Sequence, residues 1–160
     1  MGDCRCVAII PIRGSDDEFV DGARVMLGDR PLIAYTIEAA LAAERLDRVL
    51  VSTDSPEISA FAEELGVETL ELRPPHLSQP GVSGTEVLRH AIERLAATAY
   101  RAEWVVKLEV THPFRPPGII DKVIELAMSQ DIDSAFIAYE EPHSYWLLGA
   151  DGQPVQVGDE

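Results

Sequence analysis

Two patterns of apolar positions alternate along the chain. Cys6–Ile12 reads CVAIIPI, a short and nearly continuous apolar run of the kind a strand buried on both faces requires. Arg48–Thr53 and residues 67–72, 104–108 and 134–139 are four more runs of strand length. Between them the spacing turns helical. Residues 31–46 place Leu32, Ile33, Ile37, Ala40 and Leu41 on one face behind a proline suited to a first turn. Residues 56–65 have Ser55 as an N-cap and Gly66 as a stop. Ser83-Gly84-Thr85-Glu86 is a capping box that opens a helix running to Ala97. Residues 117–130 carry Ile119, Ile120, Val123, Ile124 and Ala127 at helical spacing. Strand and helix alternate from Cys6 to Tyr139, which predicts an α/β fold with a mainly parallel sheet and right-handed crossovers. Beyond Tyr139, Glu140-Glu141-Pro142-His143 reads as a turn, residues 145–148 as a short strand, and Ala150-Asp151-Gly152 as the turn of a hairpin.

In such folds ligands bind at the carboxyl ends of the strands. Three segments lie there: residues 13–30, 73–82 and 109–117. The first far exceeds the usual ~2–6 residues of a strand-to-helix loop, and long loops inside compact domains are often functional. It opens with Arg13-Gly14-Ser15, where an arginine fork can meet phosphate oxygens and the glycine lets backbone approach closely. It is neither a Walker sequence nor a GxGxxG run, and a plain turn is the alternative. Asp16, Asp17, Glu18 and Asp21 follow; they repel a polyphosphate unless Mg²⁺ sits between, so Asp16 and Asp17 are candidate metal ligands and otherwise a solvated acidic loop. The third segment offers Thr111, His112 and Arg115. His112 is either a general base or ligand donor, or a loop histidine bonded to a carbonyl. Arg115 pairs a phosphate or caps Glu109. His143 and Ser144 lack an acid and an elbow, which argues against a Ser-His triad. Trp104 and Trp146 read as packing groups, and His76 and His90 form no metal-ligand pattern.

Charge narrows the partners. The 160 residues carry 13 Lys+Arg against 28 Asp+Glu, a net of -15. No basic stripe is visible, so neither a nucleic acid nor an anionic membrane surface is expected as a partner. The longest apolar runs fall far short of the ~18 residues of a membrane span, and Pro11 and Arg13 stand where a leader cleavage site would be, so no signal peptide is expected. Cys4 and Cys6 point to opposite faces of an extended segment, which disfavours a disulfide between them and suits reduced thiols in the cytoplasm. From the residues alone the expectation is a phosphate- or nucleotide-binding α/β domain.

The segments VAIIPIRGS, GDRPLIAYTIEAAL, DRVLVSTDSPEI, ELRPPHLS and VVKLEVTHPFRPPGIID go further. Together, from Cys6 to about Trp146, they resemble the acylneuraminate cytidylyltransferases, the CMP–sialic acid synthetases and relatives acting on similar ulosonic acids. The resemblance implies a three-layer, doubly wound, Rossmann-like nucleotidyltransferase sheet as one domain over residues 1–160. Its core would be residues 5–139, with residues 140–160 beginning a dimerisation or extension element that ends as a truncated hairpin. It implies transfer of CMP from CTP to the anomeric hydroxyl of an ulosonic acid, with Mg²⁺, release of pyrophosphate, and a homodimer. Arg13, Gly14 and Ser15 would wrap the CTP phosphates, with Arg73 near the nucleotide and Ser83 where the base is touched. Glu109 and His112 would face the sugar. Arg13, Thr111, His112 and Arg115 are the candidate catalytic groups.

Three departures accompany the resemblance. Asp17, Gly22 and Ala23 stand where the family's first loop usually carries two lysines and an asparagine, leaving Arg13 and Arg24 as the local cations. Glu109 replaces a neutral amide, and a carboxylate there repels an acidic sugar unless it is protonated or bridged. The family's metal-binding aspartates lie in a continuation beyond the stretch present here. The expectation is therefore slow or no cytidylyl transfer by residues 1–160 alone, with a non-catalytic nucleotide- or sugar-binding relative, or a fragment needing further residues, as the alternative function.

Overall fold

The computed structural model describes residues 5–14, 22–130, 132–138, 145–148 and 153–157. Its centre is β1 (Cys6–Ile12), in which Cys6 to Ile10 are wholly buried. β1 pairs in parallel with β4 (Arg48–Thr53) on one side and β6 (Trp104–Lys107) on the other. The short β5 (Glu68–Thr69) adds outside β4, giving the order β5-β4-β1-β6. In register, Ile9 stands opposite both Leu50 and Lys107, so all three carboxyl ends open at one edge of the sheet.

The alternation of side chains explains the layers. Cys6, Ala8, Ile10 and Ile12 pack with Ile33 and Ile37 of α1 (Leu32–Leu41), Ile58 and Ala62 of α2 (Pro56–Glu64), and Ile120 and Ile124 of α4 (Ile119–Ser129). Val7 and Leu50 point the other way, onto Leu95 of α3 (Gly84–Ala96). Helices therefore cover both faces of a parallel sheet, the three-layer arrangement expected. The caps also form as expected. Ser55 accepts from the Ile58 N–H at 3.2 Å. At α3, Ser83 Oγ accepts from the Glu86 N–H at 3.3 Å while the Glu86 carboxylate takes the Ser83 N–H at 3.2 Å. No described helix is long and apolar enough to cross a membrane.

Several elements differ from expectation. The helix expected over residues 31–46 is α1, which stops at Leu41. Beyond it the Glu44 and Arg45 N–H groups turn to the Asp121 carboxylate of α4 at 3.2 and 2.9 Å, and Arg45 pairs with Glu125. A tertiary contact thus replaces the helix's last turn. Pro31 lies before the first turn and pairs as β3 (Arg30–Pro31) with β2 (Met26–Leu27). This ribbon turns at Gly28, whose φ of +68° suits glycine, and Tyr35 of α1 holds it by donating to the Leu27 carbonyl at 2.7 Å. The strand expected over residues 67–72 shrinks to β5, because the chain bends at Glu71 and meets the β4 edge again only where the Arg73 N–H reaches the Thr53 carbonyl at 2.8 Å.

The largest correction concerns residues 134–139. Residues 134–138 form no strand, and Phe136 and Ile137 stand 86% and 58% exposed. An apolar run becomes a strand only where an edge pairs with it and a layer covers it. Tyr139 lies outside the described residues. The hairpin expected further on does form: β7 (Tyr145–Leu148) pairs antiparallel with β8 (Pro154–Val157).

Candidate active site

The carboxyl ends of β1 and β6 border a cavity of about 190 Å³. β1 gives Pro11 and Ile12 and is followed by Arg13, and the far wall gives Lys107, Glu109, Val110 and Thr111. The segment before α3 adds Arg73, Leu77, Gln79 and Val82, and α3 itself adds Gly84 and Val87. The sheet brings Arg13 and Thr111, which are 98 positions apart in sequence, to one pocket because β1 and β6 run parallel and adjacent. Both side chains are exposed at its mouth.

Arg73 is the buried member of this set, only 3% exposed. Its Nη2 donates to the Ile12 carbonyl at 3.0 Å, Nη1 to the Ser52 carbonyl at 3.4 Å, and Nε to Ser78 Oγ at 2.9 Å. Asp54 stands 3.7 Å from Nη2 and also accepts the Gly14 N–H at 2.8 Å. Burial pushes the Arg73 pKa down; Asp54 opposes that shift and Arg13 adds to it. Arg73 thus ties the ends of β1 and β4 to the loop before α3 and sets the pocket's rear wall. Gly14 is required by the same packing: a Cβ there would stand 2.7 Å from Ser55 Cβ.

The opposite wall is exposed. Lys107 forms an ion pair with Glu109, the two side chains being 38% and 41% exposed. The carboxylate expected to repel an anion is therefore bridged, by a lysine two residues away. His112 Nδ1 lies 3.2 Å from Thr111 Oγ1, which makes a hydroxyl–imidazole pair at the rim. Arg115 faces elsewhere. Its fork donates to Thr36 Oγ1 at 2.9 Å and to the Glu109 carbonyl at 2.5 Å, and burial lowers its pKa. It borders a second groove between α1 and residues 113–121, where Phe114 stands edge-on to Tyr35. Of Arg115's two readings, the geometry matches capping of Glu109, through the backbone carbonyl. Ser83 contributes its hydroxyl to the α3 cap, and its neighbours Val82 and Gly84 line the cavity.

Ser15, Asp16, Asp17, Glu18 and Asp21 lie outside the described residues, as do Cys4, His143 and Ser144. Among the described residues no group of three or more His, Cys, Asp or Glu is placed to hold a metal, and Glu109 is the one carboxylate lining the cavity. The described residues therefore do not build a Mg²⁺ site by themselves. Sequence reasoning missed Lys107, Gly84 and Asp54. Lys107 had a signal, a charge closing the otherwise apolar run WVVKL, whereas the roles of Gly84 and Asp54 depend on contacts across the fold.

Known proteins show the same architecture. A family model described as Cytidylyltransferase matches residues 7–145. N-acylneuraminate cytidylyltransferase from Escherichia coli O18:K1:H7 is 38% identical over 122 residues, covering 76% of this chain and 28% of that protein. 3-Deoxy-manno-octulosonate cytidylyltransferase from Vibrio campbellii is 31% identical over 132 residues, covering 82% and 49%. The solved structure of CMP:2-keto-3-deoxy-manno-octonic acid synthetase complexed with CTP superposes with a TM-score of 0.67 at 20% identity, over 79% of this chain and 48% of that one. The chain spans less than half the length of these proteins.

Proposed function

This chain belongs to the cytidylyltransferase family, and from that premise we propose that it carries the nucleotide end of an enzyme that transfers CMP from CTP to the anomeric hydroxyl of an ulosonic acid. The observation that supports this reading most is the convergence of Arg13, Lys107, Glu109 and Thr111 on one cavity at the carboxyl ends of β1 and β6. In the reaction the hydroxyl oxygen attacks the α-phosphorus, the bond to the bridging oxygen of the β-phosphate breaks, and pyrophosphate leaves. Such chemistry depends on positioning and on stabilising charge at phosphorus more than on covalent catalysis. Arg13, exposed at the end of a rigid strand, meets the phosphates. Thr111 and His112 sit where an attacking hydroxyl would approach, and the imidazole takes its proton. Arg73 and Arg115 act indirectly by fixing the loops that carry these groups.

Magnesium belongs to this proposal as a companion of the CTP phosphates; it adds positive charge there, and no step is routed through it. A homodimer belongs to it as well, and light scattering on the purified chain reads that directly. The acceptor is a sugar acid of the kind named in the relatives, N-acylneuraminate or 3-deoxy-manno-octulosonate. Incubating the chain with CTP, Mg²⁺ and each acid tests the reaction by pyrophosphate release. Release that requires one acid supports it. CTP binding by calorimetry without release points instead to a binding-only relative or to a fragment that needs further residues for turnover, and absence of both overturns the reading.

A further inference from the structure

Lys107 and Glu109 form an ion pair inside the cavity, and both side chains are more than a third exposed. An exposed pair contributes little to stability. Its placement is nonetheless specific. A Cβ at Gly84, the first residue of α3, would stand 2.8 Å from Lys107 Nζ and 3.5 Å from Cε, so the lysine occupies the space a side chain would take. Without Lys107, Glu109 would present a bare negative charge to any anion entering beside Arg13 and Thr111. A like charge at contact distance in half-exposed surroundings weakens binding about tenfold or more.

We propose that Lys107 is a specificity-determining residue of this cavity: it cancels Glu109, so that a ligand bearing anionic oxygens, a polyphosphate or a sugar carboxylate, binds beside the pair. The inference rests on the proposed reaction and deepens it. Lys107 acts here through Glu109, which separates its role from that of a direct phosphate ligand. Gly84 belongs to the same device, because the space it leaves open sets where the ammonium stands.

The test uses calorimetry of the full chain with CTP and, separately, with N-acetylneuraminate, together with the thermal midpoint of each variant. Lys107→Met is expected to weaken binding of at least one of the two about tenfold while moving the midpoint little; which one responds tells polyphosphate from carboxylate. Lys107→Met with Glu109→Gln is expected to recover most of that loss, a rescue that a packing role for Lys107 would not give. Gly84→Ala, which displaces the ammonium without removing it, is expected to weaken binding of the same ligand but to add nothing once Lys107→Met is present. Three results overturn the inference while leaving the reaction standing: Lys107→Met within twofold of wild type for both ligands, a double variant as weak as Lys107→Met alone, or a Gly84→Ala loss that persists without the lysine. If the wild-type chain binds neither ligand, the reaction and the inference fall together.

Discussion

The two walls of the cavity are built on opposite principles. The wall at the ends of β1 and β4 is bonded internally around the buried Arg73, which donates to two carbonyls and a serine, while Asp54 holds both Arg73 and the Gly14 N–H and the exposed Arg13 stands at its edge. The wall at the end of β6 is exposed, and its charged and polar groups pair with near neighbours in sequence: Lys107 with Glu109, and Thr111 with His112. The difference follows from burial. A guanidinium that is 3% exposed must satisfy its donors inside the protein, whereas exposed groups exchange protein partners for water or ligand at little cost. One wall therefore sets shape, and the other is left to respond to a ligand.

Variants can break that contrast, beginning with the largest effect. Arg73→Met leaves the Ile12 and Ser52 carbonyls without their charged donor and Asp54 without its cation, and is expected to cost about 3 kcal/mol. Urea unfolding measures this, and a loss below about 1 kcal/mol would place Arg73 on the responsive wall instead. Gly14→Ala forces a methyl against Ser55 Cβ, with an expected loss of about 1–3 kcal/mol from overpacking; an unchanged unfolding midpoint would show that the β4–α2 turn yields easily.

Smaller effects sharpen the ligand side. Arg13→Ala is expected to weaken CTP binding about tenfold, roughly 1.4 kcal/mol, and Arg24→Ala much less. Arg13 follows a rigid strand and lines the cavity, while Arg24 is exposed in a single helical turn beside Ala23 and does not line it. Equal losses in a titration at fixed salt would refute the ordering.

The smallest effect is one of pH. The Glu86 pKa is lowered from 4.5, mainly by its hydrogen bond to the Ser83 side chain and then by that to the Ser83 backbone. A carboxylate with a depressed folded pKa contributes its stability in full above its unfolded value and loses it as pH falls through the lower folded value. Below about pH 4.5 the α3 cap is expected to weaken, and Glu86→Gln should flatten that part of the stability profile. An identical acid limb in both proteins would count against the cap.

Much of this was legible in the chain. Cys6–Ile12 is apolar without interruption and Arg48–Thr53 carries Val49, Leu50 and Val51 in a row, runs suited to strands covered on both faces. Ser55 and Ser83 begin helices because a serine hydroxyl satisfies the first free N–H groups locally. Arg13 and Thr111 were readable as site candidates because parallel strands deliver their following residues to one edge. These features depend on neighbours in sequence or on the alternation of strand and helix, so the sequence by itself determined them. Other features required distant contacts. Residues 134–138 have a strand's composition yet pair with no strand, α1 ends where α4 supplies a carboxylate, and Arg115 turns inward because Thr36 and the Glu109 carbonyl receive it. The charge of Glu109 is set by a near and a distant contact together. As a letter it is a carboxylate that repels an anion; β6 places Lys107 against it, and Gly84, brought over by α3, leaves the room in which the lysine stands. Tertiary structure decides such matters because hydrogen bonds and charges act over a few ångströms, and only the folded chain sets which residues come that close.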